Sequence, residues 1–428
     1  MNVRRTPAER VIDAVQELDA LIDWERRERV AMRVSTEPAR RLLERLGDPQ
    51  LSYRVVHVTG SKGKGTTASL VAAGLQRAGL RVGRYGSPHV ERIHERVVID
   101  GAEVSDERIA DGLEHALAAR ADLIAADREV PTWFDVLTAA ALWIFREEAV
   151  DWVVAEVGLG GRLDSTNVLH GEVCIVTNIE LEHTAVLGTH RSAIAWEKAG
   201  ILKPGCTAVT GLGASDEAGR VVQRVADGLG VKVLRPEWVE SGTPRSISEM
   251  NRSMAALALD ELGRLGVRGR DGRPPSGSLL DPATIRAAQL PARLERFECE
   301  GIPVVLDGAH TPGSVSAALA DLSCDRSLPG RPVVVLGLAR DKDAAGILKA
   351  LGSAAEKVFC TSVGTDLHRT PQELASVALE LGLGTETASP PRVAFDRALA
   401  CARGRWVLVI GSLYLAGFLR PHLRQAVP

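Results

Sequence analysis

At 428 residues the chain is too long for one hydrophobic core, so two domains are expected. Its 45% hydrophobic and 25% charged content is that of a soluble globular protein, and a net charge of -3 argues against a broad nucleic-acid-binding surface. Six scattered cysteines without a C-x-x-C pair suggest neither a zinc site nor a disulfide framework; with no apolar leader and no stretch long enough to span a bilayer, a cytoplasmic protein with no membrane partner is expected.

Residues 6–48 read as two helices, the first opened by Thr6-Pro7 and the second by Thr36-Glu37-Pro38. Between them, Trp24 to Arg33 is crowded with charge and reads as a solvated helix face or connector. The apolar run Val55 to Val58 leads into T-G-S-K-G-K-G-T-T (59–67) and then a helical pattern. Strand, glycine-rich turn and helix together form a phosphate-binding arrangement. The glycines let backbone N–H groups point inward, and the helix N-terminus adds partial positive charge. Gly60, Gly63, Gly65, Thr66 and Thr67 shape that loop; Lys64 supplies a point charge to the outer phosphates, and Thr66 or Thr67 a hydroxyl for a metal. The spacing is not that of the ordinary P-loop, because Gly65 stands between Lys64 and Thr66.

Further along, a strand is expected over 81–85, a hairpin around Val97 to Gly101, and helices over 105–125 and 133–148. Asp151 to Val157 and Cys174 to Ile179 read as buried strands. Ligands in open α/β sheets sit beyond the carboxyl ends of strands, where Glu156 and His183 fall. Alone, Glu156 could simply emerge into solvent and His183 could be a structural histidine. Together, with Ser87 of a Ser-Pro turn as a third donor, they become candidate magnesium ligands. A helix ends near Lys203-Pro204-Gly205, another contains Asn251, and Gly266 to Ser278 reads as an exposed loop or hinge. After about 295, strands over 302–306, 333–336, 358–360 and 407–410 alternate with helical patterns, indicating a smaller Rossmann-like α/β domain.

Only eight of the 52 basic residues are lysines, and Lys62, Lys64, Lys198 and Lys203 lie in or beside these motifs. Where positive charge alone is wanted this chain uses arginine, so a lysine marks a need for a compact ammonium or a reactive amine.

The motifs, in their order, resemble those of the folylpolyglutamate synthase/dihydrofolate synthase family of the Mur-ligase superfamily, over nearly the whole chain. They are G-S-K-G-K-G-T (60–66), S-P-H…E-R (87–96), T-W-F-D-V-L-T (132–138), E-V-G-L-G-G-R-L-D-S-T-N (156–167), E-K-A-G-I-L-K-P-G (197–205), P-A-R-L-E (291–295), L-D-G-A-H (306–310), R-D-K-D (340–343) and G-S-L-Y (411–414). The resemblance implies a large P-loop-type ATPase domain with a mostly parallel sheet over residues 1–290, and a glutamate-ligase domain over 291–428. It implies an ATP- and Mg²⁺-dependent ligase, expected to be a monomer, adding L-glutamate to a folate or to dihydropteroate through an acyl phosphate.

By the same resemblance, Gly63, Lys64, Gly65 and Thr66 hold ATP phosphates, and Asn251, Arg293 and Asp307 approach the nucleotide. Ser87, Glu156 and His183 bind magnesium, and Lys198 is carbamylated by CO₂. Thr132, Trp133, Phe134, Asp135 and Asp164 line the pterin side; His310 and Ser412 help receive glutamate. The chain departs from the family's usual residues at Lys62 (commonly Asn), Glu182 (Asp), Ala292 (Gly) and Thr311 (Asn), and its 205–251 segment is shorter and lacks a His-Gln element. Two other readings fit the same motifs: ligation of a different acid, and a homologue that binds nucleotide or folate without turnover.

Overall fold

The computed structural model describes residues 5–23, 35–125, 130–243 and 245–425; the charged segment 24–33 lies outside them. The chain divides into two compact units, residues 1–245 with 249–288, and residues 246–248 with 289–428.

The first unit is built on eight strands: β1 (Arg54–Thr59), β2 (Val82–Tyr85), β3 (Val97–Ile99), β4 (Ala102–Glu103), β5 (Trp152–Glu156), β6 (Val173–Val176), β7 (Thr207–Thr210) and β8 (Lys232–Leu234). Their order is β4-β3-β2-β5-β1-β6-β7-β8. The run from β2 to β8 is parallel, and β3 and β4 add an antiparallel edge. The central strands are almost uninterrupted Val, Ile and Ala because helices cover both faces. Side-chain alternation divides β5 cleanly. Val153 and Ala155 join the core formed with the Asp106–Ala125 and Trp133–Glu147 helices. Trp152 and Val154 join the opposite core, with the Lys64–Arg77 and Ile247–Arg264 helices. Glu156 continues on that second face.

β1 lies between β5 and β6; the chain leaves it toward β2 on one side, and the connection from β5 later crosses it to reach β6 on the other. The carboxyl ends of β1, β5 and β6 therefore flank a switch in strand order, where a doubly wound sheet opens a crevice.

The second unit carries β9 (Glu295–Cys299), β10 (Ile302–Leu306), β11 (Val333–Leu336), β12 (Lys357–Cys360), β13 (Thr385–Thr387) and β14 (Val407–Ile410), ordered β13-β12-β11-β14-β10-β9. Only β9 runs antiparallel, as a hairpin with β10. The four strands expected here are present; β9 and β13 are additions, alternating or short polar strands that lack a long apolar run.

Gly266 to Ser278, expected as an exposed loop or hinge, belongs wholly to the first unit. The Gly269 N–H reaches Arg273 O, the Arg270 N–H reaches Ala78 O, and a Cβ on Gly277 would lie 2.8 Å from that of Ala256. The stretch is a loop laid against the helices on either side.

Candidate active site

Two positions in the phosphate loop demand glycine. Gly60 has φ +145° and a Cβ there would lie 1.8 Å from Thr177 Oγ1; Gly63 has φ +78° and a Cβ there would lie 2.1 Å from Asn251 Oδ1. The loop is held from the next strand over. Asn178 accepts the Ser61 N–H through its carbonyl (2.9 Å) and the Lys62 N–H through Oδ1 (2.8 Å), while Thr177 Oγ1 donates to Lys62 O (2.6 Å). This bracing leaves the N–H groups at the start of the Lys64–Arg77 helix facing the crevice.

Two ammonium groups converge on one carbonyl. Lys64 Nζ donates to Gly60 O at 2.9 Å, and Lys198 Nζ donates to the same oxygen at 2.8 Å. Lys198 is only 1% exposed and is also bonded to Glu182 Oε1 at 2.9 Å. Burial pushes the Lys198 ammonium down to about 8, and Lys64 adds repulsion, against the opposing pull of Glu182. Burial raises Glu182, but the charges of Lys198 and Lys64 outweigh it and hold the carboxyl below its ordinary range.

Glu156 is buried at the end of β5, and its Oε2 accepts the Ser87 N–H at 3.2 Å, so two of the three expected metal ligands are neighbours. His183 is exposed, adopts φ +48° and opens the Thr184–Leu187 turn next to Glu182. Among the described residues no three His, Cys, Asp or Glu side chains converge as a metal site. The donors offered are one carboxylate, one imidazole and one hydroxyl. Such a sparse, oxygen-rich set fits Mg²⁺, which keeps water and phosphate oxygens among its ligands. The cradle fits polyphosphate on its own evidence: the Thr67 hydroxyl is buried beside the loop with no hydrogen-bond partner, a donor available to a phosphate oxygen.

Sequence reasoning overlooked Arg84, on β2 beside these ligands. A Cβ on Gly86 would lie 2.6 Å from Arg84 Nη1 and 3.4 Å from Glu156 Oε2. Burial lowers the Arg84 guanidinium while Glu156, Glu95 and Glu103 pull it back up. An arginine inside the otherwise uncharged strand V-G-R-Y (82–85) was the available signal.

The expected pterin-side residues form a tightly bonded wall. Thr132 donates through N and Oγ1 to Asp135 Oδ2 (2.8 and 2.7 Å), capping the Trp133–Glu147 helix, and Ser165 Oγ donates to Asp135 Oδ1 at 2.6 Å. Trp133 Nε1 donates to Asp19 Oδ1 at 2.9 Å, and Arg96 stacks over the Trp133 ring at 4.8 Å. Phe134 closes over Gly158, where a Cβ would meet it at 2.5 Å. Asp164 accepts from Leu159 N, Thr166 N and Thr166 Oγ1, and burial still raises its pKa.

In the second unit, Arg293 sits between Ala292 and Leu294, both at φ +49°. That turn directs the Leu294 N–H to Asp307 Oδ2 (2.8 Å), while Ala309 N–H reaches Oδ1 (2.8 Å). Asp307 follows β10 and is nearly enclosed; burial raises its pKa against the Arg293 charge. Gly308 lets Arg293 and Leu413 approach, since a Cβ would lie 2.8 Å from Arg293 Nη1 and 2.3 Å from Leu413 Cδ2. His310 Nδ1 must carry the proton it donates to Gly308 O (2.8 Å), which leaves Nε2 as the acceptor, and burial lowers its pKa. Ser412, two residues beyond the neighbouring β14, accepts the Tyr414 N–H through Oγ at 3.1 Å. Arg293, Asp307, His310 and Ser412 thus gather at the carboxyl ends of two paired strands.

Residues 292–413 match the Mur ligase, glutamate ligase domain. The folylpolyglutamate synthase of Lacticaseibacillus casei is 32% identical over 406 residues, covering 89% of this chain and 92% of its own. The chain belongs to the folylpolyglutamate synthase/dihydrofolate synthase family. A probable bifunctional folylpolyglutamate synthase/dihydropteroate synthase of Haloferax volcanii is 34% identical over 428 residues, covering 93% of this chain, but this chain spans only about half (49%) of that longer relative. The structure of E. coli FolC in complex with DHPP and ADP superposes with a TM-score of 0.81 at 26% identity, covering 99% of both chains. The Yersinia pestis bifunctional folylpolyglutamate synthase/dihydrofolate synthase with Mn, AMPPNP and L-glutamate bound gives 0.78 at 27% identity, covering 98% of this chain and 99% of that one. Among the described residues, no helix is long and apolar enough to cross a membrane.

Proposed function

We propose that the protein is an ATP-dependent ligase that joins the amine of L-glutamate to a carboxylate of a folate, acting in the cytoplasm as a monomer. The observation that carries this reading is the pair of lysine ammoniums, Lys64 and Lys198, meeting on the Gly60 carbonyl at the mouth of a glycine-demanding phosphate loop.

A carboxylate does not react with an amine directly, because oxide would have to leave. Transfer of the ATP γ-phosphoryl group to the carboxylate oxygen gives an acyl phosphate; the glutamate amine then attacks the carbonyl carbon, and inorganic phosphate leaves with the carboxylate oxygen. The loop and the helix N-terminus bind the polyphosphate, and Lys64 turns from the Gly60 and Ser61 carbonyls to charge developing on the transferred group. Ser87, Glu156 and His183 would hold Mg²⁺, which supplies charge neutralisation on the phosphoryl oxygens when bound. Thr132 to Asp135 and Asp164 fix one wall for the pterin, with Phe134 offering its ring. Arg293, Asp307 and Asn251 serve the nucleotide, and His310 and Ser412 the glutamate. Neutral His310 can accept an amine proton at Nε2.

Lys198 fits carbamylation. Its amine must first be neutral, and burial holds it at about 8 rather than the ordinary 10.5, so a useful fraction is unprotonated near neutrality. The amine nitrogen attacks CO₂ and a proton is released, changing a buried cation into an anion beside the metal ligands.

The deciding experiment measures phosphate release with ATP, Mg²⁺ and glutamate in the presence of dihydropteroate, tetrahydrofolate or neither, with products weighed by mass spectrometry. Release that depends on a pteroyl acceptor, with one glutamyl unit added, supports the reading and selects the acceptor. Absence of release with either acceptor, despite ATP binding, would sink it in favour of another acid or a non-catalytic role.

A further inference from the structure

Lys62 is the departure in the phosphate loop that the reaction above leaves without a task. Its backbone is pinned on both sides, with N–H to Asn178 Oδ1 at 2.8 Å and its carbonyl accepting from Thr177 Oγ1 at 2.6 Å. The side chain is held differently. It pairs with Glu180 Oε2 at 2.6 Å, and the two side chains are 17% and 48% exposed. Glu180 is a surface carboxylate whose own N–H is bonded to Ser61 Oγ at 2.9 Å, so it too is anchored by its backbone and is free to move at its tip. An ion pair this open to water contributes little to stability and is easily exchanged for a stronger partner.

Position decides which partner that is. The backbone N–H groups at the helix start suit the inner phosphates, and Lys64 the β/γ region. Lys62 lies two residues before Lys64, and its ion pair turns it toward the segment after β6 that carries Glu180, Glu182 and His183. That is the side on which the terminal phosphoryl must lie if His183 helps to hold its metal. A terminal phosphate brings more negative charge than the single carboxylate of Glu180, and a charge-assisted bond to it is the stronger one.

We propose that Lys62 is a second nucleotide-binding cation, latched by Glu180 until ATP arrives and then transferred to the terminal phosphate, so that the loop distinguishes ATP from ADP. The inference rests on the ATP-binding reading above. Because the backbone of Lys62 is fixed, only its side-chain torsions change in the exchange. ADP lacks the terminal group, so in the product complex Lys62 returns to Glu180, which favours release of ADP and its replacement by ATP.

The test is calorimetric titration of the whole protein with AMPPNP and with ADP, each with Mg²⁺, in the native chain and in Lys62→Asn, Lys62→Arg and Glu180→Gln. Lys62→Asn should weaken AMPPNP by about tenfold while changing ADP by less than about threefold. Lys62→Arg, which keeps the charge, should retain most of the preference for AMPPNP. Glu180→Gln removes the competitor and should tighten AMPPNP while leaving ADP nearly unchanged. If Lys62 and Glu180 only brace the loop, Lys62→Asn and Glu180→Gln weaken both nucleotides together, and the proposal is overturned. It is equally overturned if Lys62→Asn leaves the AMPPNP-to-ADP ratio as it was. A native chain that binds neither nucleotide would instead remove the ligase reading on which the inference stands.

Discussion

Lys198 places an amine where a surface lysine would be useless. It is enclosed, its proton is weakly held, and its two partners are a backbone carbonyl and Glu182. Replacing it with alanine should abolish ligation while AMPPNP still binds, because Thr177 and Asn178 go on bracing the loop when the Lys198 bond to the Gly60 carbonyl is lost. With ¹³C-bicarbonate, the native protein should show a carbamate carbon resonance that Lys198→Ala lacks; turnover that survives the substitution would refute the carbamate role. A different buried base sets the acid stability. His57, in the middle of β1, is fully buried, shares a 2.9 Å bond with Thr166 Oγ1, and is pushed by burial from 6.5 to about 3. The unfolded chain takes up this proton near pH 6.5 and the folded chain does not until about 3, so the unfolded state binds more protons between those values. Stability from this residue is therefore intact above pH 6.5 and falls as the pH falls through that window. Between pH 6.5 and 5 the loss is about 2 kcal/mol. His57→Asn, which can still donate to Thr166, should flatten that decline in a series of thermal melts, and an unchanged pH slope would count against it.

Elements show why some of this was legible in the sequence and some was not. The strands β1, β5, β6, β10, β11 and β14 are short apolar runs buried on both faces, and a run of that kind announces itself. β9 alternates exposed and covered residues, and β13 is three residues of Thr and Glu; each exists because a neighbouring strand offers it a ladder, which no local pattern encodes. The phosphate loop was legible because its glycines and lysines are contiguous. Its bracing by Thr177 and Asn178 comes from more than a hundred residues away, and the Arg84–Gly86–Glu156 arrangement depends on two strands pairing. The turn at 292–294 shows a different gap. Alanine at φ +49° stands where the resemblance leads one to expect glycine, and the strain became visible only in the backbone. Ala292→Gly should raise stability in urea by about 0.5–1 kcal/mol, since relief of the left-handed strain exceeds the added chain entropy. The opposite change in the loop, Gly63→Ala, meets both a positive φ and Asn251 Oδ1 at 2.1 Å. It should cost about 1–2 kcal/mol and weaken AMPPNP severely; an unaffected nucleotide titration would show that the loop is not the site.

For the whole molecule, the chain segregates its chemistry. Lys64, Glu156, His183 and Lys198 belong to the first unit, and Arg293, Asp307, His310 and Ser412 to the second. If the first unit activates the carboxylate and His310 and Ser412 only receive glutamate, the two half-reactions can be separated by trapping. Hydroxylamine attacks an acyl phosphate without needing a glutamate site, releasing phosphate and leaving a hydroxamate. His310→Ala and Ser412→Ala should therefore lose glutamate ligation by a large factor yet still form the folyl hydroxamate from ATP, folate and hydroxylamine. Lys64→Ala and Lys198→Ala should lose both products, and Arg293→Ala should resemble them because its guanidinium is assigned to the nucleotide. His310→Gln, which retains a side-chain donor toward the Gly308 carbonyl but no imidazole Nε2, separates orientation from proton acceptance: recovered ligation would make His310 a positioning group, and continued loss would tie the reaction to its free nitrogen. Should His310→Ala and Ser412→Ala abolish the hydroxamate as well, the division is wrong, and His310 and Ser412 must take part in carboxylate activation alongside Arg293.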